Sequence, residues 1–194
     1  IRKALALLVE EGLVKKIHGS GSQVISQEQV NFPVSDLTSY QELIKQQGIK
    51  SQTNVISLDK IIVDTNLSEK TGFSKSQQVW RLIRQRVVDG CASVVDIDYL
   101  DARLMPQLNR GIAENSIYDY LENQLHLSIS HAFKEITIDN TTEQDKILID
   151  IGKDHHIVCI RSKVYLNNGK QFQFTESRHK LEKFKFVDYA KRHH

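Results

Sequence analysis

The chain has 194 residues, 40% of them hydrophobic and 26% charged, with a formal net charge of +2. That is enough apolar material for a sizeable core, and the charge balance leaves any basic patch local rather than global. No apolar run approaches the ~18 residues of a membrane span and no signal-peptide layout opens the chain, so the expected address is cytoplasmic with no membrane partner.

Residues 1–10, IRKALALLVE, place Ile1, Leu5, Leu8 and Val9 at helical spacing, with Gly12 as a C-terminal cap. Residues 13–18 and 22–25 read as two short strands joined through Gly19-Ser20-Gly21. A helix and a hairpin of this size bury no core alone, so the segment is part of a larger domain or packs on the rest of the chain. Residues 26–36, SQEQVNFPVSD, are polar and carry one of only two prolines, the composition of a linker. Ser35 or Asp36 is then expected to cap a helix through Leu37, Tyr40, Leu43 and Ile44 that ends at Gly48.

A strand is expected at 53–63 and a short helix at 64–71, after which hairpins dominate. QVWRLIRQRVV and CASVVDIDYL flank Asp89-Gly90, a strong two-residue turn signal. Asn115 or Ser116 starts a helix through Leu125, residues 131–139 read as a strand, and Thr142-x-x-Asp145 opens a helix to about Gly152. HIVCIRSKVYL and KQFQFTESRHKL, joined through Asn167-Asn168-Gly169, close the chain as a second hairpin. The class is α+β, with a largely antiparallel sheet and helices on it.

Residue chemistry narrows the function less than the fold. The period of two places Trp80, Leu82, Arg84, Arg86 and Val88 on one strand face. Two guanidinium groups two residues apart converge on the same space and suit a phosphate or carboxylate. The same pattern also fits an exposed face whose arginines pair with Asp96 and Asp98 across the hairpin. In the second hairpin Val158, Ile160, Val164 and Leu166 form an apolar face, leaving Arg161 on the other with Ile157, Cys159, Lys163 and Tyr165. The return strand carries Gln173, Thr175, Ser177 and His179 on one side and Phe172, Phe174, Glu176 and Arg178 on the opposite one. Ser116 at a helix start offers backbone N–H groups to an anion, with Tyr118 adding a hydroxyl, or is simply a cap beside a core tyrosine.

No nucleophile stands beside a base, and neither a P-loop nor an HExxH pattern occurs, so no catalytic residue is expected. Of eight histidines, His155 with His156 and His193 with His194 are sequence neighbours, and the two cysteines, Cys91 and Cys159, form no CxxC. These spacings argue against a metal site and a disulfide scaffold.

The string RKALALLVEEGLVKKIHGSGSQVI resembles the second half of the winged helix-turn-helix of GntR-type bacterial regulators, in which a recognition helix, an "EGLV" exit and a "GxGS" wing come in this order. The remainder resembles the sensing domain of the HutC branch, with its R-x-R strand, S-x-Y helix start and later arginine met by Arg84 and Arg86, Ser116 and Tyr118, and Arg161. VWRLIRQRVVDG, ENSIYDYLE and FQFTESRHKLEKFKFVDYAKR are similar to branch members that govern trehalose utilisation. The resemblance implies a chorismate-lyase-like sensing domain at 37–194, a linker at 26–36 and a partial winged domain at 1–25 whose first helices would precede Ile1. It further implies a homodimer, not an enzyme, that represses transcription and leaves operator DNA on binding trehalose 6-phosphate or a related sugar phosphate, without cofactor or metal. Its effector contacts would be Arg84, Arg86, Ser116, Tyr118 and Arg161, with Gln173, Glu176, Arg178 and His179 completing the sugar pocket. Its DNA contacts would be Arg2, Lys3, Lys15, Lys16 and His18, positioning on phosphates. An enzyme of sugar-phosphate or aromatic-acid metabolism sharing the fold is the alternative, since fold alone does not imply function. Replacement of Arg84 by alanine is expected to weaken the phosphorylated ligand and leave the fold intact.

Overall fold

The computed structural model describes residues 2–10, 14–17, 21–24, 30–31 and 37–187. The chain divides into two compact units, one of residues 1–36 with 182–194 and one of residues 37–181. The first contains helix α1 (Arg2–Glu10), the antiparallel pair β1 (Val14–Ile17) and β2 (Gly21–Val24), and the short strand β3 (Val30–Asn31). On α1 Leu5 is half-buried, but Leu8, expected on the same apolar face, is exposed. Apart from β3, the segment read as a linker lies outside the described residues, as do the caps expected at Gly12, Ser35 and Asp36.

In the second unit helix α2 (Tyr40–Gln47) starts later than its periodicity suggests. Ser39 caps it, accepting from the Glu42 backbone while the Glu42 carboxylate accepts from the Ser39 N–H, a reciprocal pair that satisfies two of the otherwise unbonded end groups. Gly48, at φ 64°, closes it in the left-handed conformation that glycine adopts at least cost. Strand β4 (Ser51–Ile62), helix α3 (Thr65–Thr71), and strands β5 (Gln78–Val88) and β6 (Cys91–Asp101) come next. Asp89 and Gly90 both take positive φ, 48° and 81°, the turn whose twist matches that of the flanking strands.

Helix α4 (Arg110–Glu114), unforeseen because it is one turn long, precedes α5 (Ile117–Asp119). Ser116 caps α5, which continues as a π-helical turn over Tyr120–Gln124. Strand β7 (Ile129–Asn140) leads to α6 (Glu143–Leu148), then β8 (His156–Leu166) and β9 (Gln171–Lys180). Helix α6 stops short of the expected Gly152. Ile149 and Ile151 turn inwards onto Val95 and Ile157, and Asp150 exchanges hydrogen bonds with Ala92 of β6, through its backbone N–H at 2.8 Å and its carboxylate at 2.7 Å. A 3₁₀ turn (Leu181–Lys183) leads to β10 (Phe184–Lys185), which pairs in parallel with β3, so these last residues group with the first unit rather than with the sheet.

The six-stranded antiparallel sheet has the order β4-β5-β6-β9-β8-β7, so the two hairpins join through β6 and β9. One face is covered by α4, α5 and the π turn, whose Ala113, Ile117, Tyr120 and Leu121 pack on Leu82, Leu100 and Val164. The other face holds two smaller clusters, Phe73 with Val79 and Phe174, and Ile149 and Ile151 with Val95 and Ile157.

The register shifts at four places in the sheet, and the one on β9 moves a core side chain. The register shifts where Val164 opposes Gln173 but Tyr165 opposes Gln171, leaving Phe172 as an extra residue on β9. Phe172 therefore packs in the helix-covered core with Leu100, Val164 and Leu166, not beside Phe174 as the period of two implies. Fully buried there, it is expected to cost roughly 3 to 5 kcal/mol on Phe172→Ala. Phe133, 67% exposed on edge strand β7, is expected to change stability by about 0.5 kcal/mol or less on Phe133→Ala. Urea unfolding of the two variants measures the difference, and equal costs contradict the bulge.

Candidate functional site

Under the helices, β5 and β6 bring two buried ion pairs side by side. Arg84 Nη2 donates to Asp98 Oδ2 at 2.7 Å, and Arg86 Nε donates to Asp96 Oδ2 at 2.8 Å. Each pair is diagonal, because the residues directly opposite Arg84 and Arg86 are Asp96 and Val94. Pairing with Asp96 and Asp98 is what the alternation allowed, but the face is not exposed: Arg86 is 1% and Asp98 0% accessible. The neighbouring strand β9 holds each carboxylate from the far side. Gln173 Nε2 and Thr175 Oγ1 donate to Asp98 Oδ1 at 2.8 and 2.6 Å, and Ser177 Oγ donates to Asp96 Oδ1 at 2.5 Å.

His179 Nε2 lies 2.9 Å from Ser177 Oγ, so the hydroxyl, committed to Asp96, receives the imidazole N–H. Burial works against the Asp96 carboxylate, but the charges of Arg86 and Arg84 and the Ser177 hydroxyl outweigh it and hold its pKa below the ordinary range. Gln173, through its amide N–H, and His179, through Ser177, thus also support the carboxylates that position the arginines. Because Arg84 is buried against Asp98, alanine there leaves a buried, unpaired carboxylate at a cost of roughly 3 to 5 kcal/mol, so that replacement does not spare the fold.

The helix start lies over this network. Arg84 Nη1 donates to the carbonyl of Ala113 at 3.4 Å, and burial, followed by the nearby Asp98 carboxylate, raises the Tyr118 phenol pKa, so Tyr118 is a neutral donor. Its ring packs edge-on against Phe172. Ser116 Oγ accepts from the Asp119 N–H at 3.2 Å, and the adjoining π turn is closed by the Leu125 N–H on the Tyr120 carbonyl. Ser116 also lines an open cleft of about 590 Å³ between α2 and the α4–α5 segment. Polar side chains dominate its walls, Ser39, Gln41, Glu42 and Lys45 on one side and Asn109, Asn115, Ser116 and Asp119 on the other. That volume suits a small ligand, and amides and hydroxyls suit a polyhydroxylated one.

Arg161, Glu176 and Arg178 are on the opposite face of the sheet and do not join Arg84 and Arg86. Glu176 opposes Ile97 on β6 and Arg161 on β8, whereas Asp96 opposes Ser177. Arg178 forms a bidentate pair with Asp145, 2.8 Å from Nε to Oδ1 and from Nη2 to Oδ2, and donates to Glu176 at 2.8 Å. Arg161 donates to Asp139 at 2.5 Å and to Thr137 at 2.8 Å, and Lys70 of α3 pairs with Glu176. Three cations and three carboxylates balance here. Burial opposes charge on Glu176 and on Asp145, but their basic partners prevail and hold both pKa values low.

Asp139, Cys159 and Glu176 place ligand-type atoms within 4.8 Å of one another. Burial, followed by the Glu176 charge, pushes the Cys159 thiol up to about 12, and the carboxylates are already taken by Arg161, Arg178 and Lys70, so the group is an ion-pair lattice with an inert thiol. Asp145 was legible only as a helix cap, and its second oxygen to Arg178 has no sequence signal.

Of the DNA-contact candidates, Lys3 is exposed on α1. Arg2 belongs to the same helix and Lys15 and Lys16 to β1, while their side chains and all of His18 lie outside the described residues. No helix among the described residues is long and apolar enough to cross a membrane.

Residues 46–185 match the UTRA domain family. The chain is 40% identical over 192 residues to the HTH-type transcriptional regulator TreR of Bacillus subtilis, covering 99% of this chain and 81% of that protein. It is 27% identical to the mannosyl-D-glycerate transport/metabolism system repressor MngR of Escherichia coli, covering 99% and 80%. Among solved structures, the effector-binding domain of the B. subtilis trehalose repressor superposes with a TM-score of 0.67 at 38% identity, covering 74% of this chain and 99% of that one. These relatives are named as regulators of transcription, which settles the choice between regulator and enzyme.

Burial, partly offset by the Asp96 charge, lowers His179 to about 4, so the folded state keeps it neutral while the unfolded chain protonates near 6.5. The unfolded state therefore binds more protons between those values, and stability, whole above about 6.5, falls as pH drops. A loss of roughly 2 to 3 kcal/mol between pH 7 and pH 4.5 is expected from this group, read from urea midpoints. His179→Gln is expected to flatten that limb, and an unchanged slope in the variant contradicts the assignment.

Proposed function

Because the chain belongs to the UTRA-domain family of GntR-type transcriptional regulators, we propose that it is a repressor whose 37–181 unit senses a sugar phosphate, trehalose 6-phosphate, and thereby controls binding to operator DNA. The observation that carries the ligand class is a pair of unmet polar atoms beside Asp98. Arg84 Nε and Gln173 Oε1 are buried with no hydrogen-bond partner among the described residues, one a cationic donor and the other an acceptor. Each such atom costs about 1 to 3 kcal/mol, a cost recovered by a ligand that supplies an acceptor and a donor together. A phosphate oxygen and a sugar hydroxyl are that combination.

The network's own charges cancel, two guanidiniums against two carboxylates, so selectivity rests on donor direction rather than on a net positive field. Ser116 and the polar cleft it lines add hydroxyls and amides for the disaccharide body, and Tyr118, two residues on, adds a phenol. The names of the B. subtilis trehalose repressor and its effector domain support the choice of sugar. Release of the operator requires the ligand to favour the arrangement that does not bind DNA, and a coupling of about 1 to 3 kcal/mol gives a 5- to 150-fold change in affinity. A homodimer presents two such sensors to the two halves of an operator.

A ligand at about one hundred times its Kd stabilises the folded state by roughly 2.7 kcal/mol. In a thermal-shift assay trehalose 6-phosphate is expected to raise the melting temperature by several degrees, with trehalose giving little. The paired change Arg84→Met with Asp98→Asn removes both charges without stranding either, and is expected to abolish the difference between the two sugars. Equal shifts for both sugars in the parent protein contradict the phosphate assignment.

A further inference from the structure

The guanidinium of Arg86 is held on three sides. Its Nε edge meets Asp96 at 2.8 Å and its Nη1 meets Thr53 Oγ1 of β4 at 2.6 Å. Against its planar face lies the ring of Tyr40, with the centroid 4.3 Å from the guanidinium carbon. Two edge bonds leave a planar cation free to tilt, and a ring on its face removes that freedom. Tyr40 is itself anchored, its hydroxyl 2.7 Å from Ser51 Oγ, and burial pushes its pKa up to about 12, so it stays a neutral ring with its electron-rich face towards the cation. It occupies the first position of α2, immediately after Ser39, whose reciprocal bonds with Glu42 fix where the helix begins.

We infer that Tyr40 is a positioning residue for effector recognition, stacking on Arg86 to fix the plane in which that guanidinium offers its donors to the ligand's phosphate. The inference rests on the reading that the phosphate binds at Arg84 and Arg86. Phosphate selectivity in a charge-neutral network depends on the angle of the fork, and a tilted guanidinium keeps its carboxylate while losing alignment with a second anion. Tyr40 also ties that angle to the cleft, because the next residues of the same helix, Gln41, Glu42 and Lys45, form one of its walls. A ligand that fills the cleft thus acts on the element that aims Arg86, and sugar body and phosphate are read together.

Calorimetric titration of the full chain with trehalose 6-phosphate, trehalose and inorganic phosphate tests this in the parent protein and in Tyr40→Phe, Tyr40→Leu and Tyr40→Met. Loss of a desolvated cation–π contact is expected to weaken trehalose 6-phosphate and inorganic phosphate roughly ten- to thirtyfold in the Leu and Met variants, and to leave trehalose where it was. Tyr40→Phe, which keeps the ring, is expected to bind within about threefold of the parent. Met preserves bulk, so a packing defect confined to Leu separates from the stacking effect. Parent-like phosphate binding in Tyr40→Met, or equal weakening of trehalose and its phosphate, overturns the inference. The Arg84→Met with Asp98→Asn protein separates the two levels. If it loses phosphate binding while Tyr40→Met does not, only the role of Tyr40 fails, and if it binds as the parent does, the phosphate site and the role of Tyr40 fail together.

Discussion

Burial of four charges at the centre of one sheet face is the constraint around which the sensing unit is arranged. Arg84 with Asp98 and Arg86 with Asp96 sit where water cannot solvate them, and each ion left alone there would cost several kcal/mol. Pairing offsets that cost only with good geometry and further hydrogen bonds, and β9 supplies them in sequence order through Gln173, Thr175 and Ser177. The junction of β6 with β9 is therefore both the seam of the two hairpins and the mount of the site. Apolar side chains at these positions would hold the sheet together at least as well, so the role we propose for the ions is recognition rather than stability.

The opposite face solves the same problem with a lattice of ion pairs. Arg178 spends its fork on Asp145 and Glu176, Arg161 is bound to Asp139 and Thr137, and Lys70 closes the set. A saturated lattice ties α3 and α6 to the sheet. The two networks differ in one respect: beside Asp98 a donor on Arg84 and an acceptor on Gln173 have no hydrogen-bond partner among the described residues, whereas Arg161 and Arg178 each pair with carboxylates.

Much of this was readable from residue order. The R-x-R spacing put Arg84 and Arg86 together, Asp96 and Asp98 were recognisable as partners, and Ser116 is the cap that its place before an apolar run suggests. What could not be read is anything that depends on which face a strand presents. Arg161 and the Glu176–Arg178 pair share the chemistry of a phosphate site but point the other way, and only the pairing of β9 with β6 and β8 decides it. The bulge at Phe172 moves one aromatic ring across the sheet, a change invisible to a strict period of two. Helix ends follow local chemistry: α2 is capped at Ser39, where Glu42 reciprocates, and α6 ends where Ile149 and Ile151 turn into the core. Tyr40 was visible only as an apolar position of a helix, and its contact with Arg86 joins residues far apart in the chain.

The central claim is that the ligand's phosphate is read by the arginine pair under the helices and not by the arginines behind the sheet. A crystal structure of the chain with trehalose 6-phosphate measures this directly. The account predicts phosphate oxygens within hydrogen-bonding distance of the Arg84 and Arg86 guanidiniums, with the sugar rings towards Ser116 and the polar cleft. Phosphate density beside Arg161 or Arg178, with the Arg84–Asp98 and Arg86–Asp96 network untouched, would contradict it.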